Sequence, residues 1–306
     1  MKNKLNSELP LVSICFPVFN GERTLIRALD SLNSQDYKNL EIIISDDNST
    51  DKTFTICKRY KFKNIKKKIF KNKINMGAGF NFQNTLKKAK GKYCFWACQD
   101  DYWKKNFVSS LAKILQKKPY FVGAMCSTVM INIQGKVINK FEPHKTALID
   151  KSLLKILLSI LIKKRKNEKI IKTGLLIHGL IKTDILSKII YTFNGQFRGE
   201  RQISFLLRLI GDFGYVKDEL FFKELDSRPF NIRRSGDGNL LSKKITKFYQ
   251  LKFFYEVMRL LFLLKDIKIL NFLKGLIAIN IYLFNSVYVQ SKITIMKLID
   301  RIYKSK

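Results

Sequence analysis

Acidic residues are what this chain has least of. Its 306 residues include 24 Asp and Glu against 58 Lys and Arg, a formal net charge of +34. A field of that sign favours anionic partners such as nucleic acid, phospholipid head groups or phosphorylated small molecules. Lys, Ile and Asn are all abundant, as in AT-rich coding sequence, but such a bias does not explain why acids are so few. Long apolar runs are missing as well. The nearest, residues 275–290, is interrupted by Asn280 and Asn285 and falls short of the roughly eighteen residues a spanning helix needs. Residues 1–10 are polar and have no apolar signal-peptide core. Cysteine is scarce and odd in number (Cys15, Cys57, Cys94, Cys98 and Cys126), and most of the five sit inside apolar runs. That argues against a disulfide framework and for buried thiols in a reducing cytoplasm. Cys94 and Cys98 have no second Cys/His pair at zinc spacing, so both are expected as buried strand residues. Repeats, low-complexity linkers and Gly-rich phosphate loops of the Walker or dinucleotide type are also absent from the sequence.

What is present is a foldable core. An apolar content of 46% with 12% aromatics excludes a disordered chain, and the length suits one large domain or two smaller ones. Residues 11–18 and 40–45 are short, β-branched apolar runs that read as buried strands. Between them Leu25, Ile26, Ala28, Leu29 and Leu32 recur at helical spacing, with Asn20 as the expected cap and Glu22 in the first turn. A helix over 53–60, a strand over 68–70, a helix over 81–90 stopped by Gly91 and a strand over 93–98 follow. Strands alternating with helices predict a mostly parallel α/β sheet.

In such sheets ligands bind at the carboxyl ends of the strands. Two of these ends deliver adjacent aspartates, Asp46-Asp47 and Asp100-Asp101. Four of the few acids at equivalent positions favour a functional site over helix capping alone. Aspartate oxygens together with substrate phosphates suit Mg²⁺ or Mn²⁺, and a carboxylate also accepts from a base N–H or a ribose hydroxyl. With no phosphate loop available, a metal ion would have to neutralise a diphosphate.

Beyond Asp101 the pattern shifts. Residues 121–133 and 136–138 read as sheet elements around a Gln134-Gly135 turn. Residues 152–164 form an expected helix that is either buried or interfacial, and 200–210 another, with Phe205, Leu206, Leu209 and Ile210 on one side. From Leu241 onward thirteen Lys or Arg stand against three acids (Glu256, Asp266 and Asp300). This segment reads as basic amphipathic helices that either bind an anionic membrane surface or pack as a cap. The expected organisation is residues 1–105, 106–239 and 240–306: a ligand- and metal-binding half, the other half of the same domain, and a basic helical tail.

Five blocks stand in order along the first hundred or so residues: Val12-Ser13-Ile14-Cys15-Phe16-Pro17-Val18-Phe19-Asn20-Gly21-Glu22, then Glu41-Ile42-Ile43-Ile44-Ser45-Asp46-Asp47-Asn48-Ser49-Thr50-Asp51, then Asn75-Met76-Gly77, Ala89-Lys90-Gly91-Lys92-Tyr93 and Gln99-Asp100-Asp101. Together they resemble family 2 glycosyltransferases. Their order and spacing over roughly ninety residues are specific where any one block is not. The resemblance implies a GT-A fold, a Rossmann-like sheet flanked by helices, and a nucleoside-diphosphate-sugar donor held with Mn²⁺ or Mg²⁺. It implies that Pro17, Phe19 and Glu22 line the nucleotide pocket, with Phe19 where the family often has Tyr, and that Asp47 accepts from the base. Asp100 is implied as the sugar or ribose contact and Asp101 as the metal ligand. Gln99 stands where many relatives have another polar residue, and Gln83 where Asn is common.

The later residues Gly174 to Leu186, with His178-Gly179-Leu180-Ile181, and then Gly199-Glu200-Arg201-Gln202-Ile203 resemble a subset of the family in which Asp at the Glu200 position is the catalytic base. Glu200 is therefore the candidate base for deprotonating an acceptor hydroxyl. It is longer by a methylene than the usual Asp, and a helix-N-terminal acid favoured by the dipole is the alternative role. His178 is an acceptor-site or metal-side candidate, or else a hydrogen-bonded structural residue. The resulting expectation is inverting transfer to a glycan or lipid-linked glycan in bacterial envelope polysaccharide synthesis. The enzyme would be cytoplasmic, with its basic tail at the inner face of the plasma membrane. The rival readings are a degenerate member that binds nucleotide-sugar without turnover and a basic nucleic-acid-binding protein. Nucleic acid is disfavoured as a partner because the aromatics lie inside apolar runs and no RNA or DNA module appears.

Overall fold

In the computed structural model the described residues are 9–143, 176–191 and 200–225. Strands β1 (Val12–Val18) and β2 (Leu40–Asp46) are buried at every position, which is why their sequences run continuously apolar instead of alternating. Strand β3 (Ile65–Lys71) pairs with β2 along its whole length, and β4 (Tyr93–Trp96) pairs with the other side of β1, all three pairings being parallel. As an edge strand, β3 keeps Lys at alternate and adjacent positions, which discourages edge-to-edge association.

The sheet continues through elements from the second half of the chain. After β5 (Tyr102–Trp103) come β6 (Gly123–Ile131), β7 (Val137–Phe141), β8 (Leu180–Lys182) and β9 (Phe213–Glu224). The strand order is β3-β2-β1-β4-β8-β6-β9-β5, with β7 on β6. The short β8 pairs antiparallel with both β4 and β6, while β9 runs parallel to β6. The long ladders are thus parallel and the joins between halves antiparallel. The helices lie on both faces: α1 (Glu22–Asn33) and α4 (Phe107–Lys117) on one, α3 (Ala78–Lys87), α5 (Thr183–Tyr191) and α6 (Glu200–Ile210) on the other. Strand β1 serves both cores, sending Ile14, Phe16 and Val18 towards Leu25, Leu29 and Leu111 and Cys15 towards Leu86 and Leu186. The remaining helix, α2 (Thr53–Arg59), is held at its C-terminus by Lys67, whose Nζ donates to the carbonyls of Cys57, Lys58 and Tyr60.

The structure corrects the sequence expectations at several points. Asn20 does not cap α1. It sits at φ 45° outside the helix, and its side chain accepts from the Thr50 amide instead, bracing the β2–α2 loop. Helix α3 begins at Ala78, three residues early, because Gly77 turns the chain at φ 85°. Strand β4 stops at Trp96, which leaves Cys98 half-buried in the following turn, not in a strand. Helix α4 and strands β5 and β9 were not anticipated. In β9 the charged run Lys217-Asp218-Glu219 masks the strand pattern, and its register against β6 shifts around Ser127. The expected helix over 152–164 and the basic tail over 240–306 lie outside the described residues.

Candidate functional site

Strand β1 is flanked by β2 on one side and β4 on the other, so the strand order reverses between the carboxyl ends of β1 and β4, where open α/β sheets bind ligands. A cavity of about 190 Å³ opens at that point, and its walls include Pro17, Phe19, Asp47, Asn81, Cys98, Gln99 and Asp100. Four of the expected donor residues, Pro17, Phe19, Asp47 and Asp100, thus come together. Glu22 is not part of this wall. Its carboxylate accepts from the Lys52 amide at 2.9 Å and ties the start of α1 to the β2–α2 loop.

The cavity's walls are fixed by backbone-directed hydrogen bonds. Gln99 clamps Phe19 from across the crevice, accepting from its amide at 2.8 Å and donating to its carbonyl at 2.7 Å. Gly21 makes this possible, since a Cβ there would fall 2.2 Å from the Gln99 Cδ. Asn81, at the start of α3, donates to the Val18 and Ser45 carbonyls and ties the ends of β1 and β2 together. Asp47 accepts from Asn72 Nδ2 at 2.7 Å and from the amides of Met76 and Gly77 at 2.9 and 2.8 Å. A carboxylate offers about four acceptor positions, so Asp47 can hold the loop before α3 and still accept once more on the cavity side.

The Asp100-Asp101 turn is anchored by an ion-pair network that the sequence did not reveal. Arg27 of α1 donates to the Asp100 carbonyl at 2.6 Å and to Glu224 Oε2 at 2.8 Å, and its guanidinium lies over the Tyr102 ring. Arg23 pairs with the other oxygen of Glu224, a side chain that is 2% exposed. The Glu224 amide in turn donates to Asp101 Oδ1 at 3.1 Å. A helix and the last strand of the described chain therefore meet at this turn. Burial pushes the Asp100 carboxyl above the ordinary aspartate range, the nearby Lys223 ammonium opposes that shift, and Glu224 adds to it.

Asp101 is fully buried, and it lies beside His178 and Cys98, with one ligand atom of each within 4.8 Å of the others. Carboxylate, imidazole and thiol form a donor set that suits a first-row divalent ion, so the residues present fit the metal expected here. His178 is buried, stacks on Phe221 and faces the Lys223 ammonium at 3.1 Å through Nε2. It is thus both a hydrogen-bonded core residue and a neighbour of the metal candidate. Gly179 lets its chain run against β6, where a Cβ would lie 2.4 Å from the Ala124 carbonyl oxygen. Glu200 stands at the first position of α6 as expected, and the helix buries Ile203, Leu206 and Leu207. The Glu200 side chain is outside the described residues.

Sequence reasoning missed Cys98, Arg27, Lys223 and Glu224. Cys98 had a local signal, its place two residues before the aspartate pair. The other three are brought in by α1 and β9 from far along the chain, and no spacing rule reports that.

A mixed sheet with helices on both faces and an acidic turn at its switch point defines the architecture of GT-A transferases. The chain belongs to glycosyl transferase family 2, whose model matches residues 13–171. It is similar to the Escherichia coli UDP-Glc:alpha-D-GlcNAc-diphosphoundecaprenol beta-1,3-glucosyltransferase WfaP, with 36% identity over 113 residues, 37% of this chain and 44% of that one. The match spans less than half the length of the curated relatives. Among solved structures, S. aureus TarS 1-349 in complex with UDP-GlcNAc superposes with a TM-score of 0.54 at 16% identity, over 79% of this chain and 65% of that one. The Pyrobaculum calidifontis mannosyltransferase PcManGT, in complex with GDP-Man and Mn²⁺, gives 0.52 at 16% identity over 80% and 65%.

Proposed function

We propose that this chain transfers a sugar from a nucleoside-diphosphate donor to a hydroxyl of a glycan or lipid-linked glycan, with inversion at the anomeric carbon. The observation that carries this reading is the crevice itself, which gathers Pro17, Phe19, Asp47 and Asp100 around one cavity next to the Asp101–His178–Cys98 cluster. Phe19, held at its backbone by Gln99, packs against the base, and Asp47 accepts from the base ring. Asp100 accepts from a ribose or sugar hydroxyl, and Glu22 holds the loop after β2 through the Lys52 amide. Asp101 would hold Mn²⁺ or Mg²⁺, which when bound neutralises the donor's diphosphate and the leaving nucleoside diphosphate.

In the transfer, the acceptor oxygen forms its bond to the anomeric carbon as the bond from that carbon to the diphosphate breaks. The acceptor proton passes to the Glu200 carboxylate, and the nucleoside diphosphate leaves with the bond pair. The organisation that goes with this reading is a donor half over 1–105, an acceptor half over 106–239 and a basic tail over 240–306. Support for a lipid-linked acceptor comes from the name of the E. coli relative and from the net charge of +34, which suits an anionic membrane surface. No helix among the described residues is long and apolar enough to cross a membrane, and the reading places the enzyme at the inner face of the plasma membrane.

Calorimetric binding of UDP, GDP, TDP and CMP to the full chain, with and without Mn²⁺, tests the donor site. The expected result is Mn²⁺-dependent binding of one nucleotide, lost in Asp101→Ala at a temperature where circular dichroism shows the variant still folded. No binding of any nucleotide, or equal binding by the variant, would overturn the assignment.

A further inference from the structure

We propose that Cys98 contributes its thiolate to the metal position at Asp101 and His178, so that this chain takes Mn²⁺, Co²⁺ or Zn²⁺ in preference to Mg²⁺. The inference rests on the donor-site reading above and specifies which ions that site accepts. Ligand atoms around a first-row ion lie at about 2.0–2.3 Å from it, hence roughly 3 to 4.5 Å from one another. The three side chains, with their ligand atoms within 4.8 Å of one another, need little adjustment to reach that arrangement.

The turn after β4 sets the geometry. The Asp101 amide donates to the Cys98 carbonyl at 3.2 Å, so residues 98 and 101 are joined in one tight turn, and His178 approaches from the segment before β8. Cys98 also differs from the other four cysteines. Cys15, Cys57, Cys94 and Cys126 are buried within the two apolar cores, whereas Cys98 is half-buried and forms part of the donor cavity's wall. A thiol there has access to an ion arriving with the donor.

The chemistry of the set determines the preference. Mg²⁺ demands near-octahedral oxygen ligands and is poorly served by sulfur, whereas affinity for thiolate and imidazole rises from Mn²⁺ through Co²⁺ and stays high at Zn²⁺. Ligation through Sγ releases the thiol proton to solvent, so ion uptake becomes tighter as pH rises. The Lys223 ammonium facing His178 Nε2 is a resident cation, and an ion bound through that nitrogen displaces it.

Titration of the full-length protein with Co²⁺, followed by thiolate-to-metal charge transfer in the near ultraviolet, tests the assignment directly. The wild type should show the band and Cys98→Ser should not. In the variant Zn²⁺ affinity should fall at least about tenfold and Mn²⁺ affinity by a smaller factor, while Mg²⁺ affinity stays unchanged, so that the preference over Mg²⁺ narrows. Cys98→Asp supplies a hard ligand in the same place, and it should lose the band and gain affinity for Mg²⁺. No band in the wild type, a band that survives in Cys98→Ser, or unchanged Zn²⁺ affinity would overturn the proposal. Failure of the donor reading would show separately, as absence of nucleotide binding with every ion while the band persists.

Discussion

Gln99 illustrates how a single side chain can set a site without touching the reacting atoms. Its amide makes both available backbone bonds to Phe19, and the missing Cβ at Gly21 gives it the room. Phe19 is the residue proposed to pack against the base, so its placement depends on a residue eighty positions away. Each of these bonds is worth about 0.5–1.5 kcal/mol net, and roughly 1.4 kcal/mol is tenfold in affinity. Gln99→Ala should therefore weaken nucleotide binding about tenfold while leaving the metal cluster intact. Calorimetry with the preferred nucleotide, alongside Mn²⁺ titration, separates the two effects; unchanged nucleotide affinity would show that the clamp does not position Phe19. The same scale explains a block that is cryptic in sequence. Asn75-Met76-Gly77 follows no strand or helix pattern, yet its amides are what Asp47 grips, and Gly77 at φ 85° lets the chain leave that grip and enter α3.

At the scale of elements, the opposite end of the same strands carries a second buried network with a structural role. Glu41 of β2 accepts from Ser13 Oγ of β1 and the Lys90 amide, both at 2.7 Å, and from Lys68 Nζ of β3 at 2.8 Å. Ser13 in turn accepts from the Gly91 amide, where a Cβ would meet backbone atoms at 2.6 to 2.8 Å. Three strands and the α3–β4 turn are joined through one carboxylate. Burial raises the Glu41 pKa, but the bonds from Lys68, Ser13 and Lys90 together outweigh it and hold the group below its ordinary range. A depressed folded value means the carboxylate stabilises the fold above the unfolded pKa of about 4.3, and that contribution is lost as pH falls through the lower folded value. Glu41→Gln should cost about 1–3 kcal/mol at neutral pH. Its melting temperature should also fall less than the wild type's between pH 7 and pH 3, and parallel pH profiles for the two proteins would refute this account.

On the scale of the whole molecule, the sequence was legible where interactions are local or repeat with a period. Residues 11–18 and 40–45 spelled out the central parallel strands because strands buried on both faces admit little but apolar side chains, and the aspartates at strand ends marked the ligand edge. What stayed hidden depends on long-range closure. Strand β9 carries charges at Lys217, Asp218 and Glu219 where it crosses from one part of β6 to the next, and this strand delivers Lys223 and Glu224 to a turn more than a hundred residues earlier. The charge of the full chain, by contrast, was plain from composition, and its consequence can be measured without reference to any fold. If the tail over 240–306 meets an anionic membrane surface, the full-length protein should sediment with phosphatidylglycerol vesicles at low salt. It should release as ionic strength rises and the Debye length shrinks from about 30 Å at 0.01 M to about 8 Å at 0.15 M. It should ignore phosphatidylcholine vesicles throughout. Removing residues 240–306 should abolish the sedimentation while leaving nucleotide binding at the crevice unchanged, because the described site draws its residues from before position 226. Sedimentation that survives the deletion would assign the membrane affinity to the residues before 240 instead.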